Sequence, residues 1–383
     1  MNNSETISRL PDIDYDAFAR DIFELKKETE AQFSVNDYRH FRKIIWINRL
    51  FTAIGYTTAW IIPNPISAYC ISQGIFGRWL IMHHVSHGCY DRVPGVPKAY
   101  TSKVFAQGWR RFYDWFDWIH PAAWHYEHNI LHHLNTNESI DPDLVEDHTE
   151  FLRRVKLPRF LKYIFITIFC FTWKFLYYAP NTLRALDSKD KGNHPDDSIW
   201  KTIFENGFDP RRKHVQKLWL TCYLPYVSVS FIIIPACFLM ISPQAALFVL
   251  INRVIAELMT NFHSFFVIGP NHSGDDIYRF DYHFKGKGEF AVNQVISACN
   301  YHTGTETKDY LQIWLNYQIE HHLYPRFPMI KYREVQPKVK AICEKHNVPY
   351  IQQHVLSRFK KLISVFIGTA DMKWLHSSPL KES

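Results

Sequence analysis

Long apolar stretches separated by charged segments are the strongest structural signal in this sequence. Most of them approach the length of about 20 residues that a helix needs to cross a bilayer. Five stretches stand out: 44–62, 66–82, 160–178, 217–241 and 244–268. No low-complexity linker or internal repeat divides the chain. The pattern predicts an all-α integral membrane protein with one catalytic body.

Two pairs of neighbouring stretches have the pattern of helical hairpins. The first pair turns at residues 63–65 and the second at residues 242–244, and neither turn carries a charge. Basic residues stand before each pair, including Arg42 and Lys43 before the first and Arg211 before the second. Because basic residues collect on the cytosolic side, we expect four transmembrane helices in two hairpins that enter and leave on that side.

The charge and the cysteines narrow the class of protein. The net charge is +7, but the basic residues lie beside apolar stretches, which indicates anionic lipid headgroups as the partner and not nucleic acid. The seven cysteines are scattered and never form a CxxC pair, so neither a disulfide framework nor a thiolate metal site is indicated. The 21 histidines are the unusual feature of the composition.

The histidines form three clusters, each near the end of an apolar stretch. On a helix, residues four apart share one face, so the spacing within the first two clusters allows both imidazoles to reach one metal region. The clusters are His83, His84 and His87, then His125, His128, His132 and His133, and finally Gln318, His321 and His322. One such cluster is often structural, whereas three together favour metal binding.

The number of imidazoles suggests two metal ions. Neutral imidazole suits iron, zinc, copper and nickel, and the absence of paired thiolates argues against an iron–sulfur cluster. Seven or more imidazoles exceed the roughly four to six positions of a single ion. A pair of ions that shares the set is the economical interpretation.

A shared site requires all three clusters to lie on one side of the membrane, so an even number of crossings must separate the second cluster from the third. We expect 160–178 to lie in the interface, because it holds Lys162 and Lys174 among aromatic residues. The alternative is that 244–268, which contains Arg253 and Glu257, does not span.

A further segment, 105–124, mixes tryptophan and phenylalanine with charged residues. This composition predicts an amphipathic helix that lies on the lipid headgroups.

These clusters resemble the histidine boxes of the membrane fatty acid desaturase superfamily, and the resemblance covers residues 44–355. The boxes read HX3H at His83 and His87, HX3HH at His128, His132 and His133, and QX2HH at Gln318, His321 and His322. Gln318 and the run from Leu315 to Pro325 are similar to the third box of the acyl-lipid and front-end branch.

The resemblance implies a cytosolic helical cap that holds a di-iron centre above the four spanning helices, with O2 as co-substrate. It also implies a ligand at His272, where the last spanning helix ends. Residues 1–43 are then an N-terminal cytosolic segment and 356–383 a C-terminal tail. The membrane is the endoplasmic reticulum or a bacterial plasma membrane, with the active site on the cytosolic side.

The expected partners are a lipid acyl substrate, membrane lipids and an electron donor. The front-end branch often carries a fused cytochrome b5 domain with a His-Pro-Gly-Gly motif, which this sequence lacks. The resemblance therefore implies a separate donor, either cytochrome b5 or a ferredoxin.

Several histidines leave alternatives open. His84 stands where the family's first box usually has aspartate. It either replaces His83 as a ligand or contacts a ligand without binding the metal itself. His125 competes with His128 in the same way. His263 and His302 are further candidates outside the boxes.

Metal-bound imidazoles usually donate their second N–H to an acceptor that orients them. The candidates for this role are Asp141, Asp143, Glu127 and Glu320. Gln318 either contacts a metal-bound water or fixes a neighbouring histidine.

The expected activity is the desaturation of a lipid acyl chain. An unactivated methylene has no acidic proton and no leaving group, so acid–base and nucleophilic catalysis cannot attack it. Hydroxylation of an acyl chain, on the same superfamily scaffold, is the nearest alternative. A membrane metal transporter is a remote one, because transport predicts histidines spread through the spanning helices.

Overall fold

The computed structural model describes residues 10–189 and 202–376, and these residues are mostly helical, as expected. They form two compact units, one of residues 10–33, 128–157 and 268–376 and the other of residues 34–127, 158–189 and 202–267. The α-helices are Tyr15–Glu30, Val35–Thr58, Pro65–Ser86, Arg111–Asp114, Pro121–Trp124, Val145–His148, Glu150–Arg154, Arg159–Trp173, Ala179–Lys189, Lys213–Leu218, Leu224–Val227, Ile234–Cys237, Pro243–Ile268, Gly286–Ile296, Glu306–Leu311, Gln318–Leu323, Met329–Lys345 and Val355–Ile367. The π-helical segments are His125–His132, Lys174–Tyr178, Thr202–Asn206, Trp219–Tyr223 and Ser228–Ile233, and the 3-10 turns are Lys98–Tyr100, Gly108–Arg110, Phe238–Met240, Gly269–His272 and Leu315–Tyr317.

Three continuous helices within the described ranges are long and apolar enough to cross a membrane. They are Arg159–Ser188, Lys213–Met240 and Pro243–His272, judged by length and composition. The first of these contains 160–178, which the sequence analysis assigned to the interface because of Lys162 and Lys174. Both lysines are buried against protein, so neither one prevents this helix from lying in lipid.

The first predicted pair forms two closely packed helices, Val35–Thr58 and Pro65–Ser86. Gly55 lies against Ile71, and Gly74 against Thr52, so close that a Cβ on either glycine would collide. Asn48 donates to the carbonyl oxygens of residues 73 and 74 across this contact. Small residues and an interhelical amide are typical of helix packing in membranes.

The turn of that pair is fixed by a residue of the long helix Pro243–Ile268. Asn252 accepts from the backbone N–H of Asn64 at 2.9 Å and donates to the carbonyl oxygens of Ala59 and Ile62 at 2.9 and 3.2 Å. Asn64 in turn caps the helix that follows, which has Pro65 in its first turn. The polar groups of the turn are thereby satisfied within the protein.

The segment 105–124 is not one amphipathic helix, so that prediction was wrong. Two four-residue helices, Arg111–Asp114 and Pro121–Trp124, flank an irregular stretch whose Trp115, Asp117 and Ile119 are buried. Asp117 pairs with Lys174 at 2.6 Å, and the Trp118 indole donates to Glu257 at 2.7 Å. Specific polar contacts to the long helices therefore override the local periodicity.

The other unit contains the N-terminal helix Tyr15–Glu30, which packs on Gly286–Ile296 and on Met329–Lys345. The strands of this unit form two short parallel pairs, Tyr278–Phe280 with Lys373–Leu375 and Asn300–Tyr301 with Gln352–Gln353. These strands were not predicted, because two or three residues that pair across the chain leave no periodic pattern.

The predicted C-terminal tail is structured as far as residue 376. Helix Val355–Ile367 buries Arg358 completely, and its guanidinium binds the Asp276 carboxylate at 2.6 Å and the Ser273 carbonyl oxygen at 2.7 Å. Leu362 of this helix contacts Gly269 at the end of the long helix. The sequence alone does not reveal this buried partner of Arg358, because Asp276 lies 82 residues earlier in the chain.

Candidate metal centre

The second histidine cluster begins in the π-helical segment His125–His132, and His133 follows that segment directly. Hydrogen bonds in such a segment join residues five apart, so the residues four and five positions after His128 both lie next to it. The ring centroids of His132 and His133 are 5.3 and 4.8 Å from that of His128. The wider helix explains how three imidazoles of one segment meet.

The third cluster lies on the six-residue helix Gln318–Leu323. Ile313 and Trp314, shortly before it, both have left-handed backbone conformations, with φ of 47° and 62°. Non-glycine residues rarely adopt this conformation, and such strain concentrates at functional sites. The sharp reversal directs His321 and His322, which are buried, toward different neighbours.

His132, His272 and His322 form the first group, which we call the inner group. Their ligand atoms lie within 4.8 Å of one another, and all three side chains are buried. His272 belongs to the 3-10 turn Gly269–His272, which ends the long helix. His132 and His322, which are 190 residues apart in the sequence, therefore meet within one compact unit.

Each member of the inner group has its Nδ1 atom held by an acceptor. His132 Nδ1 lies 3.0 Å from Asp141 Oδ1, His272 Nδ1 lies 3.2 Å from the Ser297 carbonyl oxygen, and His322 Nδ1 lies 2.8 Å from Gln294 Oε1. Burial alone would lower the pKa of His132, but the nearby carboxylate of Asp141 raises it. These contacts leave the three Nε2 atoms as the atoms that can bind a metal.

His128, His133 and His321 form a second group, the outer group, whose ligand atoms also lie within 4.8 Å of one another. His321 Nδ1 lies 3.2 Å from the Tyr332 hydroxyl, which donates to the carbonyl oxygen of Tyr324. The rings of His133 and His322 stack with their centroids 4.3 Å apart, which joins the two groups.

The first cluster belongs to the other compact unit. His83 lies in the last turn of helix Pro65–Ser86, and His87 follows directly, with the two ring centroids 5.1 Å apart. Both rings contact Trp124 edge to face, at 5.6 and 6.4 Å. His84 turns back onto its own helix, where its Nδ1 atom lies 3.0 Å from the Leu80 carbonyl oxygen.

The donor set can hold metal ions. The two adjacent groups of imidazoles are buried apart from the half-buried His128, contain no thiolate, and have the composition of a nitrogen-ligated metal site. A family comparison agrees with this chemistry: the model of the fatty acid desaturase family matches residues 57–354.

The chain belongs to the fatty acid desaturase family.

Individual desaturases extend this result. The chain is 24% identical over 377 residues to an NADPH-dependent stearoyl-CoA 9-desaturase of Mycobacterium tuberculosis, which covers 94% of this chain and 81% of the relative. It is 25% identical over 246 residues to a Delta(8)-fatty-acid desaturase of Euglena gracilis, covering 60% of this chain and 51% of that protein. An acyl-lipid (8-3)-desaturase of Thraustochytrium is 40% identical, but over only 57 residues, 14% of this chain and 13% of the relative.

The desaturase is thus an oxidoreductase, and the transporter interpretation is not favoured. The remaining histidines stand apart from the two groups. His125 and His302 are exposed, and His263 lies 3.3 Å from the Gln73 amide. None of the three belongs to a cluster of ligand atoms found among the described residues.

The four proposed orienting acids differ in their contacts. Asp141 contacts His132 directly, whereas Asp143 is 3.9 Å from the same ring nitrogen. Glu127 accepts from Tyr178 at 3.2 Å. Glu320 accepts from Asn300 and Tyr350, each at 2.8 Å, and burial raises its pKa to about 7. Glu320 therefore braces the helix that carries His321 and His322.

Sequence reasoning missed the neutral residues that orient the imidazoles of this desaturase. Gln294 accepts from His322 and donates to the His133 carbonyl oxygen, Tyr332 supports His321, and Ser297 supports His272 through its backbone. No motif identifies these residues, because they come from helices that meet the boxes only in the folded chain.

Proposed function

We propose that this chain introduces a double bond into a lipid acyl chain in an O2-dependent reaction at a di-iron centre. The observation that carries the proposal is the pair of adjacent groups, each with three imidazoles whose ligand atoms lie within 4.8 Å of one another. Bound iron would activate O2, the oxidant that removal of hydrogen from an unactivated methylene requires.

The residues of the chain hold and orient that centre. We propose as ligands His83, His87, His128, His132, His133, His272, His321 and His322. Asp141, Gln294 and Tyr332 fix the tautomers of the rings they contact, so that Nε2 carries the lone pair. The burial of these supporting side chains keeps bulk water from the site, which protects a reactive centre from side reactions.

The proposed topology has four crossings, at 44–62, 66–82, 217–241 and 244–268. It is supported by the uncharged turns and by the basic residues at the opposite ends of both hairpins. Segment 160–178 would then lie in the membrane interface without crossing, which keeps the three boxes on the cytosolic side. The membrane would be the endoplasmic reticulum or a bacterial plasma membrane, and a separate cytochrome b5 or ferredoxin would supply electrons.

The proposed reaction is tested by the fatty acids that the chain makes. Expression in a host with simple lipids is expected to give a new unsaturated fatty acid, visible by gas chromatography with mass spectrometry. The His132→Ala variant is expected to give none, because it removes an imidazole from the inner group. A hydroxylated fatty acid would favour the hydroxylase alternative, and an unchanged lipid profile despite membrane-inserted protein would contradict both.

The assignment of the first box has its own test. We expect His83→Ala to lower the iron content of the purified protein and to abolish desaturation. His84→Asn is expected to retain both, because His84, unlike His83, belongs to no cluster of ligand atoms found among the described residues. Metal analysis of the two variants decides between the neighbours. The opposite ranking would show that His84 is the ligand.

A further inference from the structure

A chain of hydrogen bonds with a single direction runs past the inner group. The Nδ1 atom of His272 lies 3.2 Å from the Ser297 carbonyl oxygen, which can only accept. His272 therefore carries its proton on Nδ1 and presents a lone pair at Nε2. Gln318 Nε2 lies 2.7 Å from that Nε2 atom, so the amide group donates to it.

Asn271 fixes the other end of this chain. Its Nδ2 atom donates to the Leu315 carbonyl oxygen at 2.9 Å and to Gln318 Oε1 at 3.0 Å. A flipped Asn271 would place its oxygen against the carbonyl oxygen of Leu315, where two acceptors would repel each other. The backbone of residue 315 thus dictates the orientation of Asn271, and Asn271 dictates that of Gln318.

Two backbone carbonyl oxygens, one at each end, set the direction of every hydrogen bond between them. The consequence is that Gln318 turns its oxygen away from the inner group and its NH2 toward it. An amide binds a metal through its oxygen, because the amide nitrogen has no available lone pair. All three residues are buried, Asn271 completely, so solvent cannot compensate for a reversed amide.

We propose that Gln318 is a hydrogen-bond donor to the non-protein ligand of the inner ion, and that Asn271 is the positioning residue that holds it so. The inference rests on the proposed function, since it assumes that the inner group binds iron. If His272 Nε2 held the ion, the N–H of Gln318 would lose that acceptor and would be available to a non-protein ligand of the ion. The glutamine of the third box then acts on what the ion binds and is not itself a ligand.

The test measures iron and activity separately in purified protein. Gln318→Leu removes both polar atoms of the amide and leaves a shorter, branched apolar side chain. It is expected to retain the wild-type iron content per chain and to lower desaturation on the order of 10- to 100-fold, as loss of such a contact does. Gln32→Leu, at an exposed glutamine remote in sequence from the boxes, is the matched control and is expected to match wild type in both.

The direction of the hydrogen bonds is tested with a second pair of variants, whose iron is examined by Mössbauer spectroscopy. Gln318→Glu places a carboxylate oxygen where the NH2 group lies, and it is expected to add an oxygen ligand and change the spectrum. Asn271→Asp is expected to change it in the same sense, because an acceptor at position 271 favours the flipped Gln318 amide. Gln318→Leu is expected to leave the spectrum close to that of wild type.

Three outcomes would overturn the inference. Loss of iron in Gln318→Leu would show that Gln318 is a ligand, wild-type desaturation in that variant would show that its N–H does nothing, and unchanged spectra in both Gln318→Glu and Asn271→Asp would show that the direction of the amide does not matter. A wild-type protein that binds no iron would instead remove the proposed function, and the inference with it.

Discussion

Replacing His272 with alanine is expected to cost the protein roughly half of its iron and all measurable desaturation. His272 is one of only three imidazoles in the inner group of the described residues, and its ligand atom lies within 4.8 Å of those of the buried His132 and His322. Two imidazoles do not hold an iron ion tightly. The outer group has its own imidazoles and is expected to keep an ion.

The measurement is iron per chain by plasma mass spectrometry, combined with product analysis of the same preparation. His302→Ala is the matched control, because His302 is exposed and contacts the ring of His354 outside both groups. The control is expected to keep iron and activity at the wild-type level. A His272→Ala protein with full iron content would show that the inner group does not bind metal through this residue.

Replacing Glu257 with leucine is expected to destabilise the fold by about 3–5 kcal/mol. Glu257 lies in the long helix Pro243–Ile268 and pairs with Arg253 at 2.8 Å. It also accepts from the Trp118 indole at 2.7 Å and from the Tyr226 hydroxyl at 2.8 Å. Its removal leaves the buried Arg253 without a counter-charge, and a charge buried without a partner is expensive.

The stability lost by leaving Arg253 unpaired can be separated from the net contribution of the Arg253–Glu257 ion pair to stability. The double variant Arg253→Met with Glu257→Leu removes both charges and is expected to recover most of the lost stability, since no uncompensated charge remains. Thermal unfolding in detergent, followed by tryptophan fluorescence, compares the single variant, the double variant and wild type. Equal melting temperatures for Glu257→Leu and wild type would show that Arg253 finds another partner.

The same contacts show why residues 105–124 could not be predicted. Their mixture of aromatic and charged residues fits an amphipathic surface helix when read alone. In the fold, Asp117 and Trp118 serve as partners of Lys174 and Glu257, each from a distant part of the chain. Local periodicity cannot reveal such a role, because burying a charge depends on a partner that only the tertiary structure supplies.

The histidine boxes of the metal centre, in contrast, could be predicted from the sequence. The three boxes could be found from spacing, because an imidazole pair four residues apart is a local property of one helix. That the rings of His132 and His133 both lie next to the ring of His128 depends on the π-helical segment, which the sequence did not predict. The choice of His83 and His87 over His84 came from their spacing and stays a prediction.

The sequence by itself determined the helical membrane character, the family and the histidines of the boxes, because hydrophobic length and ligand spacing are written within short segments. Only the tertiary structure decided which acceptors stand behind the rings, which way the Gln318 amide points, and how the charges of the long helices are neutralised. The physical reason is that each of these depends on a hydrogen bond or ion pair between residues far apart in the chain. The identity and direction of such a contact exist only once the backbone has brought both partners together.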